Sequence, residues 1–346
     1  MSDVNAQVRK YSNEFLAIGV GGRALGMGNA NVSLVDDVTA GYWNPAGLTR
    51  IGDDFQISVM HAEYFASIAK YDYGAIAAPL KGKDKFLSFS FIRLGVDDIP
   101  NTLELIEPDG TINYDNIKSF SVADYAFITS YAQKTKIKGL SIGGSFKLIY
   151  RTAGSFATAW GFGLDAGITY EIKKFRLGLM ARDVTGTFNA WSFSFTEREQ
   201  QVLHQTNNII PENSLEVTVP RFIAGVSYEF DIKNKFYIVP AFDIEMTTDG
   251  KRNVALKTNT VSFDPKFGLE LNYLEIVYLR GGVNNIQKLT DESGKSRTSF
   301  QPNVGVGIRI KTFDINYAYT RMTTEKNTLF THAVSLNLGI NRKKNK

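Results

Sequence analysis

The residues that could carry out chemistry are few and are poorly spaced for it. The run Gly19-Val-Gly-Gly-Arg-Ala24 formally matches a dinucleotide-binding fingerprint, and Asp36 and Asp37 follow it. That fingerprint binds nucleotide only within a strand–turn–helix unit of a parallel sheet. No helical periodicity follows the run, so we expect the glycines to have a structural role and no nucleotide to bind.

Other catalytic and metal-binding patterns are missing. The histidines, His61, His204 and His332, lie far apart in the sequence, and no pair has metal-ligand spacing. Neither a Gly-x-Ser-x-Gly elbow nor a His-Glu-x-x-His motif occurs. The chain of 346 residues contains no cysteine, which excludes disulfides and thiolate chemistry. The sequence therefore predicts a protein that is not an enzyme and that uses no metal and no cofactor.

Composition narrows the fold class. Hydrophobic residues make up 43% and charged residues 21%, with 30 Gly, 24 Phe and 16 Tyr. A net charge of +4 is too small to indicate nucleic acid as a partner. No run approaches the roughly 20 apolar residues of a membrane-spanning helix. The composition suits a β protein whose strands have one apolar and one polar face, either a soluble sandwich or a transmembrane barrel.

Alternation of apolar and polar residues dominates the chain from residue 54 onward. In one run Trp160, Phe162 and Leu164 alternate with Gly161, Gly163 and Asp165, which places successive side chains on opposite faces of a sheet. We count about fourteen such runs, many of ten residues or more, whereas strands of soluble proteins are usually about 5–6 residues long. A tilted strand needs about 9–11 residues to cross a bilayer.

The connections between these runs alternate in length. Tight basic turns such as 135–138 and 232–234 alternate with longer polar segments, among them 95–120 and 183–218. Outer-membrane barrels have this parity, because successive strands are antiparallel and the short turns all lie on the periplasmic side. The sequence predicts a transmembrane antiparallel β-barrel of about fourteen strands over 54–341, with a basic tail at 342–346. We expect it to contact lipid and lipopolysaccharide in a bacterial outer membrane, with both termini periplasmic and a signal peptide already removed.

Residues 1–53 do not alternate and are rich in glycine. A barrel of about fourteen strands has an interior too wide for its own side chains to fill. A compact segment that precedes the first strand could fill it. We therefore predict that 1–53 form an N-terminal plug, or hatch, inside the barrel.

Two motifs in this segment resemble a known family. The runs Gly-Gly-Arg-Ala-Leu-Gly-Met-Gly-Asn-Ala (21–30) and Asp-Val-Thr-Ala-Gly-Tyr-Trp-Asn-Pro-Ala-Gly-Leu (37–48) are similar to those of the PorV/PorQ outer-membrane proteins of Bacteroidota, distant relatives of the FadL fatty-acid transporters. The resemblance implies a fourteen-stranded barrel with a hatch that carries an Asn-Pro-Ala motif. The residues that it assigns to the hatch motif are Gly21, Gly22, Arg23, Gly26, Met27, Gly28, Trp43, Asn44, Pro45 and Ala46.

Three further predictions concern the wall and the loops. Charged residues on the polar face, such as Lys147 and Glu270, should face the interior and pair with each other or with Arg23 of the plug, because a charge facing lipid costs about 2–4 kcal/mol. Pro240 cannot donate to a strand ladder and should produce a bulge or a lateral gap in the wall. Apolar residues on the long loops could dock partner proteins or be buried by the loops themselves: Leu103, Leu105, Ile106, Ile209, Ile210 and Leu215.

Two functions follow from these predictions. The PorV members of the family that this sequence resembles are components of type IX secretion. The favoured function is therefore that of an accessory, carrier or scaffold subunit of an envelope protein-export or surface-assembly complex, which binds other envelope proteins through its loops. The alternative is FadL-like uptake of hydrophobic small molecules through a plugged barrel. Alternation assigns mostly small, polar or charged residues to the inward faces, which argues against an apolar conduit. An open diffusion porin is disfavoured because of the plug.

Overall fold

The computed structural model describes residues 6–8, 12–80, 82–107, 109–290, 296–323 and 328–341. The predicted basic tail 342–346 lies outside these residues. The strands are β1 (Ala6–Val8), β2 (Phe55–Tyr64), β3 (Ala69–Pro79), β4 (Lys85–Asn101), β5 (Lys118–Lys134), β6 (Leu140–Ala153), β7 (Ala157–Ile172), β8 (Phe175–Arg182), β9 (Thr187–Phe193), β10 (Ser214–Thr218), β11 (Arg221–Tyr228), β12 (Phe230–Ile232), β13 (Phe236–Thr247), β14 (Leu256–Lys257), β15 (Ser262–Tyr273), β16 (Val277–Thr290), β17 (Ser296–Ile310), β18 (Phe313–Thr323) and β19 (Thr328–Ile340). The helices are α1 (Gly22–Gly26), α2 (Ala40–Trp43) and α3 (Glu197–Gln205), and 3₁₀ turns cover Glu14–Leu16, Pro45–Arg50 and Tyr114–Asn116.

Strands β2–β19 form the wall of a closed antiparallel barrel, in which the chain crosses the length of the wall fourteen times; each crossing is here called a stave. Two staves are interrupted: the seventh consists of β8 and β9, and the eighth of β10, β11 and β12. The last strand, β19, pairs with β2, the first strand of the wall, with Leu336 opposite Val59, so the sheet has no free edge along this seam. The predicted fold is confirmed. Within the described chain, no helix has the length and apolar character needed to cross a membrane.

The outer surface of the barrel is apolar, as alternation predicts. Outward positions such as Val59, Trp160, Leu279 and Val304 are about half exposed, whereas their neighbours along each strand point inward. Removing this apolar band from water by contact with lipid is favourable. The wall therefore has the surface of a transmembrane barrel.

The two ends of the barrel differ in their connections. One end, here called the short-turn end, carries tight turns such as 173–174 and 311–312. The other, the long-loop end, carries the segments 102–117, 194–213 and 248–261. These long segments contain α3 and the 3₁₀ turn Tyr114–Asn116. The predicted alternation of connections is thus present in the wall.

Residues 12–54, here called the plug, lie inside the barrel and are almost entirely buried. The chain reaches the plug from the long-loop end, because β1 pairs in parallel with β10, with Ala6 opposite Leu215 and Val8 opposite Val217. It leaves at the short-turn end, where β2 begins. Residues 6–8 and Ile340 therefore lie at opposite ends of the barrel. The termini themselves lie outside the described residues, so the periplasmic location of both stays a prediction.

The barrel interior has an apolar side and a polar side. The plug buries Phe15, Val20, Leu48 and other apolar side chains against inward residues of β2–β6, such as Tyr71 and Ile128. Inward residues of β7–β18 are largely charged, amide or glycine, among them Asp243 and Glu270. The plug is thus anchored by hydrophobic packing on one side and by polar contacts on the other.

Pro240 does not interrupt the wall. Its neighbours pair in register with β15, with Val239 opposite Glu270 and Ala241 opposite Gly268. The register with the eighth stave is also unchanged, because Ser227 lies opposite Ala241 and Phe230 opposite Ile238. The missing donor coincides with the short break between β11 and β12, so it produces neither the bulge nor the gap expected from sequence. The wall is interrupted elsewhere, between β8 and β9.

Candidate functional site

The plug touches the polar side of the wall backbone to backbone. Gly28 has a left-handed φ of 61° and lies against Val283 and Gly282. A Cβ atom placed on Gly282 would lie 2.2 Å from the carbonyl carbon of Met27. Glycine is needed on the wall because the plug backbone occupies the space of a side chain. The first hatch motif is therefore the part of the plug that fits against β15–β17.

An ionic network holds α1 to the wall. The Arg23 guanidinium donates to Glu270 through Nε (3.0 Å) and Nη2 (2.9 Å), and to Asp36 Oδ1 through Nη1 (2.7 Å). On the wall, Arg280 Nε lies 2.6 Å from Glu270 Oε2 and Arg280 Nη1 lies 2.7 Å from Asn316 Oδ1. Burial opposes the charge on Arg23, but the carboxylates of Glu270 and Asp36 outweigh it and raise the pKa of Arg23. The predicted pairing of Arg23 with inward wall charges is confirmed.

The second hatch motif joins the plug to β7 and β8. Asn44 Nδ2 is shared among the carbonyls of Val32 (3.2 Å), Ile168 (3.1 Å) and Leu179 (3.4 Å). Asn44 Oδ1 accepts from the Ala46 N–H at 3.2 Å, and so begins the 3₁₀ turn that Pro45 opens. The Asn-Pro-Ala motif therefore acts as a structural joint.

Two cavities lie on either side of α1. The long-loop cavity, of about 530 Å³, is lined by Leu25 of the plug and by wall residues such as Lys266 and Asn303. The short-turn cavity, of about 500 Å³, is lined by Arg23 and by many charged residues, including Arg176 and Asp314. Leu25 and Arg23 belong to the same short helix, so α1 separates the two cavities.

A bulge interrupts the wall between β8 and β9. Phe162 pairs with Phe188 and Ala166 pairs with Ala181, so five residues of β7 lie opposite eight residues of the seventh stave. The three extra residues lie within Asp183–Gly186, here called the bulge, of which Val184 and Thr185 are exposed. On the eighth stave the pairing also breaks, between β10 and β11. Sequence reasoning missed this feature, because it assigned 183–218 to one long loop.

Buried charges close the bulge from inside. Lys147 Nζ lies 2.8 Å from Asp165 Oδ1 and 2.5 Å from Asp183 Oδ1, and all these side chains are almost fully buried. Thr187 Oγ1 also donates to Asp183. Next to this cluster, Arg182 donates to the plug carbonyl of Leu16 at 3.0 Å. Pairing is needed here, because an unpaired buried charge is strongly unfavourable.

The predicted loop residues differ in exposure. Ile209 is 92% exposed and Ile106 is exposed, whereas Leu103, Leu105 and Ile210 are half-buried. Arg198 Nη2 donates to the Ile106 carbonyl at 2.8 Å, so two long loops contact each other over the barrel mouth. Leu215 belongs to β10 and not to a loop. Docking of partner proteins by the other residues stays a prediction.

Comparisons with known proteins identify the fold. No protein-family model matches the sequence, and no curated protein matches it. Among solved structures, the CymD monoaromatic hydrocarbon channel matches with a TM-score of 0.61 at 13% identity, over 94% of this chain and 98% of that one. The Pseudomonas putida toluene transporter TodX gives 0.59 at 13% identity, over 93% and 98%. A Pseudomonas aeruginosa FadL homologue gives 0.52 at 8% identity, over 92% and 98%.

These matches overturn the favoured functional prediction. The proteins that share this fold over nearly their whole length are described as hydrocarbon channels and toluene transporters, whereas the prediction was a subunit of a protein-export machine. The resemblance in the hatch motif identified the barrel and its plug correctly but assigned the wrong role. The chain is a plugged, fourteen-stranded transmembrane barrel with the FadL-like fold.

Proposed function

We propose that this barrel carries hydrophobic small molecules across the bacterial outer membrane. The observation that carries the proposal is the arrangement of a plugged barrel, a cavity at the long-loop end and an interruption of the wall in one molecule. Proteins of the same fold that are described as toluene transporters and hydrocarbon channels support it. Membership of the PorV/PorQ family rests on the hatch motifs and stays a prediction.

The lining of the cavities indicates the route. Arg221 lines the long-loop cavity and also a small space behind the bulge, which Asp165 and Asp183 line as well. A molecule in the long-loop cavity is thus close to the bulge, which leads to lipid. The short-turn cavity lies on the other side of α1, at the end of the barrel away from the long-loop cavity. The bulge reaches the outer surface at Val184 and Thr185, and displacement of the Lys147–Asp183 pair would open it from inside. In this proposal the bulge takes over the role of lateral opening that sequence reasoning gave to Pro240.

Uptake by cells tests the proposal. The full chain is expressed in a Gram-negative host that lacks hydrocarbon channels of its own, and uptake of radiolabelled toluene is compared with that of the empty-vector strain. We expect the initial rate to rise several-fold, with no rise for the polar solute glycerol. An unchanged toluene rate with folded barrel present in the outer membrane contradicts the proposal. A parallel rise for glycerol indicates an open pore instead.

A further inference from the structure

The long-loop cavity has one apolar side and one polar side. The plug contributes Ala17, Ile18 and Leu25 to its lining, and the first hairpin contributes Tyr64 and Phe65. The rest of the wall lining comes from β11 and from the region between β13 and β18, and apart from Val254 it is polar: it consists of charged residues such as Arg221 and Lys266, amides such as Asn303, and the hydroxyl residues Thr247, Ser262 and Thr320. A pure hydrocarbon would leave the polar side without partners, whereas an amphipathic molecule matches both sides.

The charges of this cavity are balanced. Its lining contains the carboxylates of Glu14, Glu245 and Asp264 and the cations of Arg221, Arg252 and Lys266. The cations already have partners: Arg221 Nη2 and Arg252 Nη1 lie 2.6 Å and 3.1 Å from Glu14 Oε1, and Lys266 Nζ lies 2.6 Å from Glu245 Oε2. An anionic ligand would have to compete with these carboxylates, so the cavity favours a ligand without net charge.

Three polar atoms on the lining lack hydrogen bonds. Asn29 Oδ1, Thr247 Oγ1 and Asp264 Oδ1 are buried and bond to no other described residue. Asn29 and Thr247 are only 7% and 5% exposed, and all three residues line the long-loop cavity. Each of these oxygens can accept a hydrogen bond, and buried polar groups normally have a partner. The missing partner is therefore a hydrogen-bond donor.

We infer that the long-loop cavity selects small, uncharged amphipathic molecules that carry a hydroxyl donor on an apolar body, phenols being the simplest case. The hydroxyl donates to the group of acceptors that contains Asp264 and Thr247, and the apolar body lies against Ile18, Leu25 and Tyr64. This inference rests on the proposed uptake function and narrows its substrate class from hydrocarbons in general to hydroxylated ones. Discrimination by an unmet hydrogen bond can exceed that available from an apolar contact.

A matched set of ligands tests the inference. The purified full chain in lipid nanodiscs is titrated with 4-methylphenol, toluene and 4-methylbenzoate by ligand-observed NMR, and empty nanodiscs serve to subtract partitioning into lipid. We expect a Kd at least tenfold lower for 4-methylphenol than for toluene, with 4-methylbenzoate weakest. Asp264→Leu and, independently, Thr247→Val should each lower the ratio of 4-methylphenol to toluene affinity several-fold. Asp84→Leu, on an exposed turn at the other end of the barrel, should leave that ratio unchanged.

The outcomes separate this inference from uptake itself. Equal affinity for 4-methylphenol and toluene overturns the inference but leaves uptake standing, as does a ratio that neither variant lowers. Tightest binding of 4-methylbenzoate overturns it in favour of an anion site. Absence of binding for all three compounds, together with no toluene uptake in cells, overturns both proposals. Because two substitutions on different strands are used, misfolding of one leaves the other to decide.

Discussion

Arg23 of the plug and Glu270 of the wall form a bidentate ion pair, with Arg23 Nε 3.0 Å from Oε2 and Nη2 2.9 Å from Oε1. Glu270 is 2% exposed, and Arg280 shares its carboxylate. Since α1 separates the two cavities, this pair holds in place the part of the plug that blocks the interior. The barrier between the cavities thus depends on a contact that a single substitution removes.

Arg23→Met should loosen the plug. Removing one partner of a buried pair typically costs about 3–5 kcal/mol, because the other charge is left uncompensated. We expect larger and noisier single-channel conductance in planar bilayers than for the unmodified protein. Arg309→Met is the control, because Arg309 lines the same short-turn cavity but pairs with Asp314 of the wall. Equal conductance of the two variants would show that the Arg23 contact does not hold the plug.

Two adjacent glycines provide a second test of plug packing. A Cβ atom on Gly282 would meet the Met27 and Gly28 backbone at 2.2–2.3 Å, whereas one on Gly281 would meet nothing within 4 Å. Gly282→Ala should destabilise the barrel by about 1–3 kcal/mol through overpacking, and Gly281→Ala should have little effect. The temperature at which the heat-modifiable gel band shifts measures both. A similar shift temperature for the two variants would contradict the described fit of plug and wall.

Deleting Asp183–Thr185 should close the lateral exit. The deletion joins Arg182 to Gly186 and restores continuous pairing with β7. The side chain of Thr187 then points to the face that alternation along an unbroken strand gives it. Lys147 keeps Asp165 as its partner. We expect the barrel to fold, as judged by heat modifiability, and toluene uptake to fall to the rate of the empty-vector strain. Unchanged uptake by the folded deletion variant would show that molecules leave by another route.

Asp36 and Asp37 of the plug should give opposite pH dependences. Burial alone would raise the pKa of Asp36, but Arg23, Arg176 and Arg50 outweigh it and lower that pKa. Its contribution to stability is therefore complete above the ordinary value of about 4 and is lost as the pH falls further. Burial raises the pKa of Asp37, so the contribution of Asp37 is largest at acid pH and is lost as the pH rises through its raised pKa.

The temperature at which the heat-modifiable gel band shifts, measured at pH values between 7 and 3, tests this difference. Asp36→Asn should make stability less sensitive to acid than in the unmodified protein. Asp37→Asn should make the loss of stability on acidification steeper, because it removes a carboxyl group that contributes most to stability at acid pH. The same change of slope for both variants would contradict the opposite environments of the two carboxyl groups.

Alternation and the parity of connections are local features, and they predict the wall well. Trp160, Phe162 and Leu164 face outward as expected, because contact with lipid favours apolar side chains at every outward position. The seventh stave is different. Asp183 and Gly186 are common in turns, so they suggest the start of a loop. Thr187 and Asn189 then alternate with Phe188 and Ala190, and this alternation could have indicated that the strand resumes.

Other features depend on contacts between distant segments. Inward residues of β2–β6 such as Tyr71 and Ile128 pack on the plug, so both faces of these strands are apolar and alternation there is weak. Asn29 of the plug and Thr247 of the wall, both with unpaired oxygens, line one cavity because the plug lies inside the barrel. The hatch motifs identified a plugged barrel, but Arg23 and Asn44 serve its architecture, and so they carried no information on cargo.

The path of the plug limits how the protein can open. Its chain enters at one rim, beside β10, and leaves at the other, where β2 starts. The pairing of β19 with β2 closes the barrel around this segment. Withdrawing the whole plug towards the short-turn rim would pull β1 away from β10 and through the barrel interior, so small local displacements of the plug are the simpler way to open a path.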